Sequence, residues 1–177
     1  IIDLRPESLL VIGSIPKIEL LEELPKSLPI IVASGVPIGI PRAQTVRTDE
    51  AKGMRLVIDH LVEFGHKNIA HISGVSSVVA KDRAAGYEAA MKANGLEKHI
   101  KIVNAKTDDE VAGYQMTEAL LTSKNPPSAI ACFNDLHAIG AQAAIINSNS
   151  KIALVGYDNT YLSGLNQISL TSIDPGN

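Results

Sequence analysis

Glu50–Gly74 reads EAKGMRLVIDHLVEFGHKNIAHISG, and the two halves of this stretch carry different periods. Met54, Val57, Ile58, Leu61 and Val62 recur at three- and four-residue spacing, which predicts one amphipathic helix over Glu50–Phe64. Gly65 suits the left-handed position that closes such a helix. From Asn68 to Ser73 the apolar residues no longer select one side, as in a strand buried on both faces. A helix handing over to a doubly buried strand is half of a parallel α/β repeat.

The same alternation continues in both directions. Leu9–Gly13, Pro29–Ala33, Thr45–Thr48, Lys101–Asn104, Ala129–Phe133 and Ile152–Tyr157 read as further strands. Ile18–Lys26, Ala80–Asn94, Glu110–Thr122 and Leu136–Asn147 read as helices. Gly86 interrupts good helix material and marks close packing, and Pro126-Pro127 stops any continuation of the fourth helix. There is no internal repeat and no low-complexity tract. This order predicts a doubly wound parallel α/β fold.

Composition narrows the function classes. The 177 residues carry 16 Lys+Arg against 19 Asp+Glu, a net charge of −3, so this stretch offers no basic footprint for nucleic acid. The apolar runs are strand-sized, far short of a membrane span. The lone Cys132 excludes an internal disulfide and fits a reducing compartment, here the cytoplasm. The chain opens on Ile1-Ile2-Asp3 without a Met or a signal pattern, so it reads as a fragment. Sequence signatures of nucleotide-binding loops, zinc proteases and serine hydrolases are absent, which favours binding over catalysis.

Ligands of open α/β sheets bind beyond the carboxyl ends of the strands. The residues just past the predicted strands are Asp49, the loop Gly74–Ala80 leading to Asp82 and Arg83, the pair Asn134-Asp135, and Asp158. Carboxylates, a guanidinium fork and an amide together suit a neutral polyol, whose hydroxyls donate and accept; a phosphate would be repelled. Each has a plainer alternative. Asp49 and Asp135 stand where helix N-caps belong, Asn134 and Asp158 could close turns, and Arg83 could be a solvated helix charge. His66 follows a helix-ending Gly and is read as satisfying backbone groups. His60, His71, His99 and His137 lack metal-ligand spacing, so no metal is expected, and Cys132 reads as a small core residue.

Five segments, in order and at matching intervals, resemble the LacI/GalR regulators. His60-Leu61, Gly65-His66, Ile69-Ala70 and Ile72-Ser73-Gly74 are similar to that family's H-L-x-x-x-G-H-x-x-I-A-x-I-x-G, and Arg83-Ala84-Ala85-Gly86-Tyr87 to its R-x-x-G-[YFW]. Pro126-Pro127-Ser128-Ala129-Ile130 with Asn134-Asp135, Ala138 and Gly140-Ala141 resembles P-P-T-A-[IV]…N-D-x-x-A-x-G-A. Val155-Gly156-Tyr157-Asp158-Asn159 with Leu170-Thr171-Ser172-Ile173, and Val46-Arg47-Thr48-Asp49 with Gly53, complete the set.

The resemblance implies a periplasmic-binding-protein-like fold: two doubly wound parallel-sheet subdomains with an effector cleft between them. On that pattern residues 1–64, rejoined by 171–177, form the N-terminal subdomain and 65–170 the C-terminal one. The resemblance also implies a DNA-binding headpiece outside this chain. It further implies an allosteric, non-enzymatic repressor core that homodimerises, needs no cofactor and binds a sugar or similar effector through Arg83, Asn134, Asp158 and Asp49. Operator DNA is the partner of the headpiece. A periplasmic sugar-binding protein of a transport system is the alternative, favoured less by the Gly65-His66 segment and the Arg83–Tyr87 spacing. The chain departs from the pattern at Lys106-Thr107-Asp108-Asp109, where the family places an aromatic ring, which leaves Tyr157, Phe133 or a residue before Ile1 as ring candidates. Asn147–Lys151 is also a shorter helix-to-strand connection than the family's.

Overall fold

The computed structural model describes residues 6–13, 18–33 and 39–176. By internal packing the chain divides into Ile1–Thr48 and Asp49–Asn177.

In the first unit, β1 (Leu9–Ile12), β2 (Ile30–Ala33) and β3 (Ala43–Val46) form a parallel sheet in the order β1-β2-β3. Leu21, Leu24, Leu28, Ile30, Val32 and Ile40 make its core. The helix expected over Ile18–Lys26 is shorter, α1 (Glu19–Glu22), because Pro25 disfavours helical backbone at Leu24. Arg42 closes the end of that turn by donating from Nη2 to the carbonyls of Leu21 (2.6 Å) and Leu24 (3.1 Å). The third strand lies two residues earlier than its expected place at Thr45–Thr48, since Asp49 already caps the next helix.

The second unit holds β4 (Ile69–Ser73), β5 (Lys101–Asn104), β6 (Ala129–Cys132), β7 (Ala153–Tyr157) and β8 (Thr171–Ile173), all parallel, in the order β5-β4-β6-β7-β8. Helices α2 (Glu50–Glu63) and α3 (Val78–Ala93) cover one face, and α4 (Glu110–Leu121) and α5 (Asp135–Asn147) the other. Every residue of β4 and β6 is buried, the double-sided burial predicted by apolar residues that select no one side.

The periodic stripe of α2 (Met54, Val57, Ile58, Leu61) is at most 2% exposed and packs on Ile69, Tyr87, Met91 and Tyr157. Each of those side chains contributes roughly 1.5–3 kcal/mol by leaving water. That burial packs α2 into the core of the second unit, which begins at Asp49. Thr171–Ile173 pairs with Val155–Tyr157 as β8.

Helix ends follow local chemistry. Ser77, Asp109 and Asn134 cap α3, α4 and α5 by accepting from the Ala80, Ala112 and His137 amides. Gly65, at φ +86°, closes α2 as its spacing predicted, with the Gly65 and His66 amides donating to Val62 and Leu61. Asn149, at φ +52°, closes α5 by the same two bonds, to Ile146 and Ile145, which is how Asn147–Lys151 turns so tightly. Among the described residues no helix is long and apolar enough to cross a membrane.

Candidate functional site

The strand order reverses at β4. The chain steps from β4 to β5 on one side and then places β6 on the other, so α3 and α5 leave toward opposite faces and a crevice opens at the carboxyl ends of β4 and β6. Gly74-Val75 after β4, Asp108 after β5, Phe133-Asn134 after β6 and Asp158 after β7 line this edge. They are tied together. Asp108 Oδ1 accepts from the Val75 amide (2.7 Å), and Asn134 Nδ2 donates to the Asp108 carbonyl (3.3 Å). Gly74 is required for the closeness: a Cβ there would meet Asp108 Oδ1 and the Phe133 ring at 2.6 Å.

Arg83 reaches the same edge from the second turn of α3. Its Nε donates to Glu50 Oε2 (2.8 Å), its Nη1 to the Phe133 carbonyl, and its Nη2 to Asp158 Oδ1 (3.1 Å). The guanidinium lies 3.6 Å from the centre of the Tyr157 ring and 4.8 Å from that of Phe133. The two rings considered for stacking on a ligand therefore lie against Arg83 instead. Tyr157 can pack there because Gly53 has no side chain; a Cβ at 53 would overlap the Tyr157 hydroxyl.

Arg83 is 5% exposed, whereas the Asp158 side chain keeps 38% of its surface. Asp158 has φ +94°, a backbone state that L-residues rarely adopt, and its amide donates to the Ile173 carbonyl (3.0 Å). Burial holds its carboxyl above the usual carboxylate range. Arg83 opposes that rise, while Asp135 and Glu50 add to it.

Of the four residues expected to contact ligand, Arg83 and Asp158 are brought into direct contact and Asn134 stands on the same edge. Asp49 is exposed and caps α2, its Oδ1 accepting from the Lys52 amide (2.9 Å). Asp135 is not the cap of α5; Asn134 is, as Oδ1 accepts from the His137 amide (2.8 Å). Asp135 is instead 1% exposed and accepts from the Thr160 amide (2.7 Å), the Thr160 hydroxyl (2.8 Å) and the Ser172 hydroxyl (2.6 Å). It thus pins both the loop that carries Asp158 and the strand beyond it. Glu50, Thr160 and Ser172 were not foreseen. Only Ser172 carried a signal, as part of the Leu170–Ile173 motif, which had been given a place in the chain path and none in the site.

Three of the histidines are held by internal partners. His66 Nδ1 meets the Ser128 hydroxyl at 3.1 Å. His71 and His137 are fully buried, and each has one ring nitrogen on a carbonyl, that of Ala131 and Thr107 respectively (both 2.9 Å). Burial lowers His71 to a pKa of about 4, so it stays neutral and donates from Nδ1. Among the described residues no group of three or more His, Cys, Asp or Glu is placed to hold a metal ion. Cys132 is buried, and burial pushes its thiol far above the range of a reactive cysteine.

Comparison with known proteins matches residues 4–174 to the family described as periplasmic binding proteins and sugar binding domain of LacI family. The HTH-type transcriptional repressor PurR of Mannheimia succiniciproducens is 29% identical over 151 residues, covering 82% of this chain and 45% of that protein. The maltose regulon regulatory protein MalI of Escherichia coli is 28% identical, covering 85% of this chain and 44% of its own length. The chain thus spans about half the length of these relatives. A solved LacI transcriptional regulator from a Rhodococcus species superposes with a TM-score of 0.86 at 32% identity, over 97% of this chain and 65% of that one.

Proposed function

Because the chain belongs to the family of periplasmic binding proteins and LacI sugar-binding domains, we propose that it is the effector-sensing part of a transcription regulator and catalyses no reaction. The effector is a sugar or a similar small polar molecule, held at the carboxyl edge of β4, β6 and β7. Asp158 and Asn134 meet it directly. Arg83 aims Asp158 and presents what remains of its donor edge, and Asp49, occupied as a cap, contributes least. One observation carries this reading: a guanidinium and a carboxylate from positions 75 residues apart join at 3.1 Å under the switch point, with part of the carboxylate still open to solvent.

In the whole protein, a headpiece of the kind named in the PurR relatives would bind operator DNA, with homodimerisation in the cytoplasm. Effector affects operator affinity only through its differential affinity for two conformations, a coupling on the order of 1–3 kcal/mol. A transport-type sugar-binding protein shares the fold. The repressor relatives and the Rhodococcus structure favour the regulator.

The test is a thermal-shift and calorimetric screen of sugars, sugar derivatives and nucleobases against the protein and its Asp158→Asn variant. At a ligand concentration of about 100 Kd, binding adds about 2.7 kcal/mol, enough to move the melting temperature by several degrees. The variant keeps its shape and loses that shift. A shift of equal size in the variant removes Asp158 from the site, and a screen without a single shift removes the site. For the regulator, the upstream coding sequence encodes a helix-turn-helix; a signal peptide there selects the transport reading.

A further inference from the structure

The charges packed around Arg83 decide what kind of effector the site can take. We propose that it accepts an uncharged or cationic molecule rich in hydroxyl or amine donors and rejects the phosphate ester of that molecule, a deepening that rests on the effector-site reading above.

Among the described residues one guanidinium stands at the site, and it is already matched twice over. Glu50 occupies its Nε at 2.8 Å, Asp158 its Nη2 at 3.1 Å, and the Phe133 carbonyl its Nη1. Glu50 is as buried as Arg83 itself, with side chains 6% and 7% exposed, so this pair cannot open to admit an anion without leaving a buried carboxylate uncompensated. The trio of Glu50, Arg83 and Asp158 therefore presents net negative charge to whatever enters.

Its surroundings add more of the same sign. Asp135, fully enclosed, raises the proton affinity of Asp158, as does Glu50. Asp108 and Asp109 stand on the neighbouring loop, and the exposed Lys106 beside them is outnumbered.

The usual route to an anion site, a free helix N-terminus, is closed as well. The first turns of α3, α4 and α5 are capped by Ser77, Asp109 and Asn134, and α4 and α5 carry Glu110 and Asp135 in those turns. What the edge offers is acceptors. The solvent-facing part of Asp158 accepts from a hydroxyl, ammonium or amide N–H, and the second N–H of Asn134 Nδ2 donates to a hydroxyl or ring oxygen.

The experiment pairs each neutral ligand with its phosphate ester on the full chain: D-ribose with ribose 5-phosphate, D-glucose with glucose 6-phosphate, D-glucosamine with glucosamine 6-phosphate, and adenosine with AMP. Kd values are read by calorimetry for the native protein and Asp158→Asn. The parent of at least one pair binds, its ester binds at least about tenfold more weakly, and the variant narrows that ratio because the parent loses affinity and the ester does not. An ester that binds as tightly as its parent, with both weakened in Asp158→Asn, overturns the charge inference and leaves the effector site standing. Binding of a parent that Asp158→Asn leaves untouched, or no binding by any pair, overturns the effector site, and this inference falls with it.

Discussion

At the residue scale, Arg83 shows how a buried charge is made tolerable and what its loss would do. Its three nitrogens each reach an oxygen and an aromatic ring lies 3.6 Å away, so desolvation is offset by bonds on every edge. Arg83→Ala leaves Glu50 and Asp158 facing each other without a cation. It is expected to cost about 3–5 kcal/mol in urea denaturation, larger than the effect expected of a ligand contact alone. Arg83→Met, which restores volume but not charge, recovers little by itself and more when combined with Glu50→Gln; additive losses in that cycle would refute the pairing.

His71 has a separate pH signature. Its folded pKa of about 4 lies below the ordinary 6.5, so its contribution to stability is present above 6.5 and is lost as pH falls toward 4. The loss amounts to about 3 kcal/mol. His71→Gln, which can still donate to Ala131, removes that part of the slope between pH 7 and 4; parallel stability curves for variant and native protein would contradict it.

Rules local to one strand end pointed to Arg83, Asn134 and Asp158, and the structure places all three on one edge. The same rules could not foresee Glu50 or Asp135 as more than helix-start residues, because their partners lie 33 and 25 residues away. Asn134 and Asp135, adjacent in sequence, exchanged roles for the same reason: the Thr160 and Ser172 hydroxyls that draw Asp135 inward sit on later segments.

At the scale of elements, periodicity found the helices and strands where burial is continuous and missed where it is not. β4 and β6 are buried throughout, and both were legible because their apolar residues select no single side, although β4 also carries His71 and Ser73. Thr171–Ile173 is short, half-exposed and polar at its start, so pairing with β7 and not composition makes it a strand. Pairs of glycines also hide contacts that no period reveals. Gly113 on α4 and Gly140 on α5 face the opposite helix backbone, where a Cβ at 140 would overlap the Glu110 carbonyl oxygen and one at 113 that of His137. Gly140→Ala thus forces α4 and α5 apart. The overpacking is expected to cost about 1–3 kcal/mol or more, outweighing the better helix propensity of alanine. A melting temperature equal to or above that of the native protein would show that the helices can separate freely.

At the scale of the whole molecule, which residues α2 folds with decides where a stable fragment can begin. The boundary at 64/65 followed from a resemblance in chain order, whereas the apolar face of α2 is buried against Tyr87, Met91 and Ile69 in the second unit. A fragment from Asp49 to Asn177 keeps both cores of the five-stranded sheet, with helices on each face, and should unfold cooperatively in urea. A fragment begun at Gly65 loses Met54, Val57, Ile58 and Leu61. It uncovers Tyr87 and Met91, which are fully buried in the intact chain, and strips Arg83 of Glu50. Removing four core side chains at roughly 1.5–3 kcal/mol each takes away about 6–12 kcal/mol, comparable with a typical domain stability of about 5–15 kcal/mol. The shorter fragment should therefore be unfolded or aggregated under conditions where the longer one shows a single sharp transition. Equal cooperativity of the two by circular dichroism would return α2 to the first unit.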